Sequence, residues 1–120
     1  MYKDFQELPV WNLAMEIGVE IFSLTEDLPR KEDYGLTSQI RRAALSISSN
    51  IAEGFGRQQT PDKSKFYIYA RGSALETKNQ LLYGNNVGYF KIEDIKPLID
   101  LISDVVESLN KLIKSLNSNS

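Results

Sequence analysis

The sequence predicts an all-α protein, a single antiparallel up-down four-helix bundle over residues 1–120. Three observations carry this. Apolar residues recur at steps of three and four through four long stretches, which is the period of an amphipathic helix. Three short polar breaks rich in Gly, Pro and Asn separate those stretches. No stretch alternates apolar and polar residues for long enough to make a strand. Helices of roughly 20 residues with short links pack against their neighbours in antiparallel order.

The spacing predicts helices near 10–28, 36–56, 61–86 and 93–116. In the first, Val10, Leu13, Ala14, Ile17, Ile21, Leu24 and Leu28 share one face. In the second, Ile40, Ala44, Ile47, Ile51 and Phe55 do so, with Arg42, Ser46, Ser49, Glu53 and Arg57 opposite. Gly54 and Gly56 near its end predict a left-handed glycine cap. Thr60-Pro61-Asp62 reads as the N-cap, first position and acidic first turn of the third helix. The fourth carries Ile95, Leu98, Ile102, Val105, Leu109, Leu112 and Leu116, a heptad seam. Pro97 predicts a start near Glu93-Asp94 or a kinked first turn, since deeper in a helix proline costs about 3 kcal/mol. Asn117 to Ser120 reads as a polar, frayed tail.

Composition removes most chemistry. There is no Cys and no His. Disulfides, thiolate chemistry, Ser-His-Asp triads and zinc-histidine sites therefore have no residues to use. The longest apolar runs are a few residues, so no membrane span is predicted, and no apolar leader opens the chain. A cytoplasmic location is the expectation. The remaining acid–base candidates are Glu53 and Glu76 on adjacent helices, and pairing of each carboxylate with a neighbouring cation is the commoner arrangement. The expectation is no enzyme, no catalytic residue, no cofactor and no metal ligand.

Charge is distributed unevenly. From Leu36 to Gln80 seven basic residues face three acids, a net of +4, while the rest of the chain carries −6. The basic set, Arg41, Arg42, Arg57, Lys63, Lys65, Arg71 and Lys78, is a candidate surface for phosphates of RNA or DNA. Solvated helix faces are the plainer account of the same residues. Tyr34, Tyr67, Tyr69, Tyr83 and Tyr89 offer rings for base stacking, or simply bury a ring and wet a hydroxyl.

The third and fourth helices have more apolar surface than one bundle core uses. Ile68, Leu75 and Leu82 lie on a second face of helix 3, flanked by Arg71 and Lys78, and Ile92, Ile99, Val106 and Ile113 repeat every seven residues beside the seam of helix 4. Ile68, Leu75, Leu82, Ile99, Val106 and Ile113 are accordingly candidates for an interface with another subunit. A thicker core within one chain is the alternative.

Longer motifs add a resemblance. The stretch Tyr34-Gly35-Leu36-Thr37-Ser38-Gln39-Ile40-Arg41-Arg42-Ala43-Ala44, continuing through Ser46-Ile47-Ser48-Ser49-Asn50-Ile51-Ala52-Glu53-Gly54-Phe55-Gly56-Arg57, resembles the four-helix-bundle proteins encoded within intervening sequences of bacterial 23S rRNA genes. Phe5, Leu8, Val10-Trp11 and Ala14 at the start, and Leu109 to Leu116 at the end, are similar too. Lys91 and Ser48 depart from the pattern, where relatives often have Ser and Pro. The resemblance implies a cyclic homopentamer and no enzyme activity. It also implies a distant similarity to the accessory protein of diversity-generating retroelements, a basic pentameric barrel that works with a reverse transcriptase and nucleic acid. Two function classes follow: an oligomeric adaptor that binds RNA or DNA, or a structural or protein-interaction oligomer with no nucleic-acid role. They differ in whether the arginines converge on an exposed surface or are tied up within the protein.

Overall fold

The computed structural model describes residues 1–118. Four helices carry the fold: α1 (Pro9–Leu24), α2 (Leu36–Gly56), α3 (Thr60–Asn86) and α4 (Ile92–Ser118), with single 3₁₀ turns at Phe5–Glu7 and Arg30–Glu32. No strand occurs among the described residues. Each helix packs against the one before it, and α4 closes back on α1. The cross-section is therefore a square with the order α1–α2–α3–α4, in a rod of 46 × 23 × 20 Å.

The predicted inward faces of α1 and α2, and that of α4 as far as Leu109, are the observed ones. Ile17, Ile21, Ile40, Ile47, Ile51, Leu81, Ile95, Ile102, Val105 and Leu109 are fully buried along the axis. On α3 the inward stripe is made of small or polar residues as much as large ones, with Ala70, Ala74 and Thr77 at 0% exposure. Short side chains bring helices close. A Cβ on Gly54 of α2 would lie 2.8 Å from the Tyr67 ring on α3, and one on Gly84 would overlap the Phe90 ring beyond the α3–α4 turn.

Several boundaries differ from the expectation, each for a local reason. α1 stops at Leu24 rather than at 28. The Thr25 hydroxyl donates to the Ile21 carbonyl at 2.7 Å, competing with the helix ladder, and Pro29 pushes Leu28 out of helical geometry. Leu28 still packs against the core from the loop. α2 does not end in a left-handed glycine: Gly54 and Gly56 are helical, and Arg57 follows in extended geometry. The Lys63 ammonium caps this end instead, donating to the Phe55 carbonyl at 2.8 Å and to that of Gly54 at 3.3 Å. Gln59, not Thr60, is the N-cap of α3. Gly88, φ 92°, is where a left-handed glycine occurs, in the turn after α3.

Pro97 is the sixth residue of α4, deeper than predicted. Pro97 and Glu93 are both exposed, so water reaches the carbonyl that the proline ring leaves without a donor. Asn117 and Ser118 continue α4 rather than fraying, and the rest of the predicted tail lies outside the described residues.

Loops at one end of the rod are tied by a carboxylate. Glu32 Oε1 accepts from the Leu36 backbone N–H at 3.1 Å, and Oε2 accepts from the Tyr89 hydroxyl at 2.8 Å. The Tyr89 hydrogen bond, then that of Leu36, holds the Glu32 carboxyl below its ordinary pKa, and the same carboxylate raises that of Tyr89.

Two outcomes test this packing. Gly84→Ala forces the Phe90 ring away and should cost about 1–3 kcal/mol, read as a lower midpoint in urea. Glu32 has a depressed pKa in the folded state. Its contribution is therefore present above its unfolded value and lost as pH falls through the folded one. Tyr89→Phe should flatten the acid side of the stability–pH curve, and an acid limb identical to wild type would remove Glu32 from the account.

Candidate functional site

Basic residues and the apolar stripe of α3 are the two candidate features, and the fold treats them differently. The seven cations do not converge. Arg41 turns toward α1: Nε donates to Thr25 Oγ1 at 2.7 Å, Nη2 donates to the Phe22 carbonyl at 3.3 Å, and the guanidinium stacks 4.3 Å from the Phe22 ring centre. Arg57 pairs with Glu53 at 2.8 Å and lies over Phe66. Lys63 is spent on the α2 terminus, where burial lowers its pKa. Arg71 donates to Asn110 Oδ1 on α4 at 2.8 Å. Lys78 is half-buried in the α3–α4 groove. Only Arg42 and Lys65 are exposed without an ion-pair or hydrogen-bond partner, Lys65 lying near the Phe66 ring.

The rings divide similarly. Tyr67 is a core residue at 4% exposure, so it offers no face to a base, and Tyr89 is held by Glu32. Tyr34, Tyr69 and Tyr83 are exposed. Glu53 and Glu76 do not meet. Glu53 takes Arg57, and Glu76 accepts from the Gln80 amide at 3.3 Å. Gln80 Oε1 and Thr37 Oγ1 are buried without a partner among the described residues. The polar stripe of α2 is partly a seam within the chain, since Ser46 bonds Ser73 of α3 at 2.9 Å.

Apolar candidates are more coherent. Ile68, Leu75 and Leu82, at 41%, 51% and 40% exposure, form one line along α3 on its α4 side. Ile99 and Val106 are half-buried across from them. Leu75, Lys78, Ile102, Val106 and Asn110 line a groove of about 260 Å³ between the two helices. Ile113 is different: at 8% exposure it belongs to the chain's own core. Helical drift explains this. A straight helix turns about 20° per heptad relative to a 3.5-residue repeat, so the buried position moves from Leu112 to Ile113 by the last turns. Leu112 and Leu116 of the predicted seam are correspondingly only half-buried.

Sequence reasoning missed a second exposed set. Val19 and Phe22 on α1 and Leu45 on α2 are 58%, 54% and 60% exposed. The signal was present, since all three are large apolar residues off the core face of their helices. Among the described residues no three His, Cys, Asp or Glu side chains are grouped to hold a metal ion, and no helix is long and apolar enough to cross a membrane.

Arg41 and Arg42 separate structure from surface. Arg41→Ala strips Thr25 of its donor and Phe22 of its cation, and should cost about 1–2 kcal/mol in chemical denaturation. Arg42→Ala should stay within about 0.5 kcal/mol. Equal effects would contradict the assignment.

Comparison with known proteins gives the same fold. A crystal structure from Bacteroides thetaiotaomicron, described as a protein of unknown function from the S23 ribosomal protein family, superposes with a TM-score of 0.79. It is 22% identical, and the match covers 88% of this chain and 98% of that one. No curated protein matches. The 23S rRNA-intervening sequence protein family matches over residues 6–111, and with that span, nearly the whole bundle, the chain belongs to this family.

Proposed function

We propose that this chain is a non-catalytic, self-associating helical bundle, and that its α3–α4 face is a docking surface for a second copy. The observation that carries the reading is the line Ile68, Leu75 and Leu82, left 40–51% exposed beside an apolar groove after the core is complete. A contiguous apolar face of this kind on a protein surface marks an interaction site. The hydrophobic core does not need these residues, so their cost in solubility requires another account. The cyclic pentamer implied by the family resemblance is the assembly we favour.

Nucleic-acid binding is the second reading, and it draws on Arg42 and Lys65, the two candidate cations that are exposed and unengaged. One subunit offers little to a polyanion. A ring would repeat these charges and let several phosphates be neutralised together.

Light scattering at micromolar concentration should give a mass several times 13.6 kDa. Leu75→Glu places an unpaired charge in the interface, worth several kcal/mol, and should return the mass to that of one chain without unfolding it. A wild-type protein that stays at 13.6 kDa would overturn the proposal. In the same samples, retention of structured RNA should fall with log salt at a slope of about −0.9 per phosphate contacted on duplex. Loss of retention in Arg42→Glu with the assembly intact would support the second reading, and no retention by wild type would remove it.

A further inference from the structure

We infer that the cleft between the start of α2 and the later turns of α3 is a binding site for a guanidinium group. The inference is independent of the self-association proposed above.

Charge is the first argument. The cleft has a volume of about 530 Å³, within the range of small-ligand pockets. Its polar lining is Glu32 from the 3₁₀ turn before α2, Gln39 from α2, and Glu76, Asn79 and Gln80 from α3, with Tyr83 as its aromatic side chain. Two carboxylates and no cation line it. Lys31 attracts Glu32 from outside the lining, Arg42 is one turn further along α2 than Gln39, and Lys78 lines the groove on the α4 side of α3. The local field therefore favours a cation. Hydrogen bonds from Tyr89 and Leu36 keep Glu32 ionised, and Glu76 is exposed to water.

A negative cleft alone attracts any cation, and Gln80 selects the kind. Its side chain is 8% exposed, its Nε2 donates to Glu76 at 3.3 Å, and its Oε1 has no hydrogen-bond partner among the described residues. A buried carbonyl without a donor is costly to keep. The amide cannot turn over to mend this, because Oε1 would then face the Glu76 carboxylate. What the cleft lacks is N–H donors, since Oε1 and both carboxylates are acceptors. A guanidinium carries several N–H donors in one plane, forks onto carboxylates and stacks its face on a ring such as that of Tyr83. Oε1 is itself shielded from water, so a torsion of the Gln80 side chain brings it to the ligand. A divalent metal fits less well. Among the described residues no three acidic side chains gather, and calcium takes several oxygens.

Methylguanidine is the probe, titrated into the whole chain by isothermal calorimetry. The heat should saturate at one molecule per chain. Tetramethylammonium has the same charge and no donor, and should bind about tenfold more weakly. Glu76→Gln, at an exposed position, and Gln80→Met, which keeps the length and removes the acceptor, should each weaken methylguanidine about tenfold with an unchanged circular dichroism spectrum. Gln80→Met should also unfold at no lower urea concentration than wild type, because the unpartnered acceptor is gone. A lower midpoint would show Oε1 satisfied in the wild type, by bound water for example, and would overturn the inference. So would heat that never saturates, equal binding of tetramethylammonium, or unchanged affinity in Gln80→Met. Acetyl-arginine amide identifies the source of the group. Tighter binding than methylguanidine assigns the cleft to a peptide arginine, and equal or weaker binding assigns it to a free guanidinium compound.

Discussion

The structure depends on one apolar ladder along the bundle axis. Ile17 and Ile21 from α1, Ile40, Ile47 and Ile51 from α2, Leu81 from α3 and Ile95, Ile102 and Leu109 from α4 are shielded from water almost completely. A square of four helices gives each helix one inward stripe. Once these residues occupy the stripes, every other large apolar side chain is left on a flank or outside. That geometric limit leaves Ile68, Leu75 and Leu82 exposed, and it does the same to Val19, Phe22 and Leu45. Tyr34, Tyr69, Tyr83, Val87 and Ile92 are exposed as well, so the surplus hydrophobicity is spread over several faces, and the aliphatic line on α3 is one of them.

Polar groups serve the helix ends and edges in this arrangement. Arg41 joins α2 to the end of α1 through Thr25 and Phe22, Lys63 caps α2 from α3, Arg71 reaches Asn110 on α4, and Glu32 joins two loops through Tyr89. Much of the positive charge that makes the middle of the chain look like a polyanion site is thus engaged within the chain itself. A charge sum over a segment carries no information about where each side chain points.

The fold was legible because four long stretches repeat at helical spacing and the connections are short. Termini were less so. Thr25 ends α1 with a side-chain hydrogen bond, and Gly54 marks a close approach of α2 to Tyr67, neither it nor Gly56 being a left-handed cap. Such events depend on what lies across the bundle, which local sequence does not state. The candidate interface on α3 was legible as a second apolar face. On α4 it was half legible: Ile99 and Val106 flank the groove side, while accumulated drift carries Ile113 into the core. The α1–α2 patch was missed because its members sit singly on two helices and meet only when those helices pack.

Cover of the α3–α4 face can be read directly, because the chain has no cysteine of its own. In Leu75→Cys a soluble thiol reagent should react at micromolar concentration much more slowly than in Tyr34→Cys, at a residue 97% exposed, and should regain speed on dilution. Equal rates for the two thiols at every concentration would contradict the account.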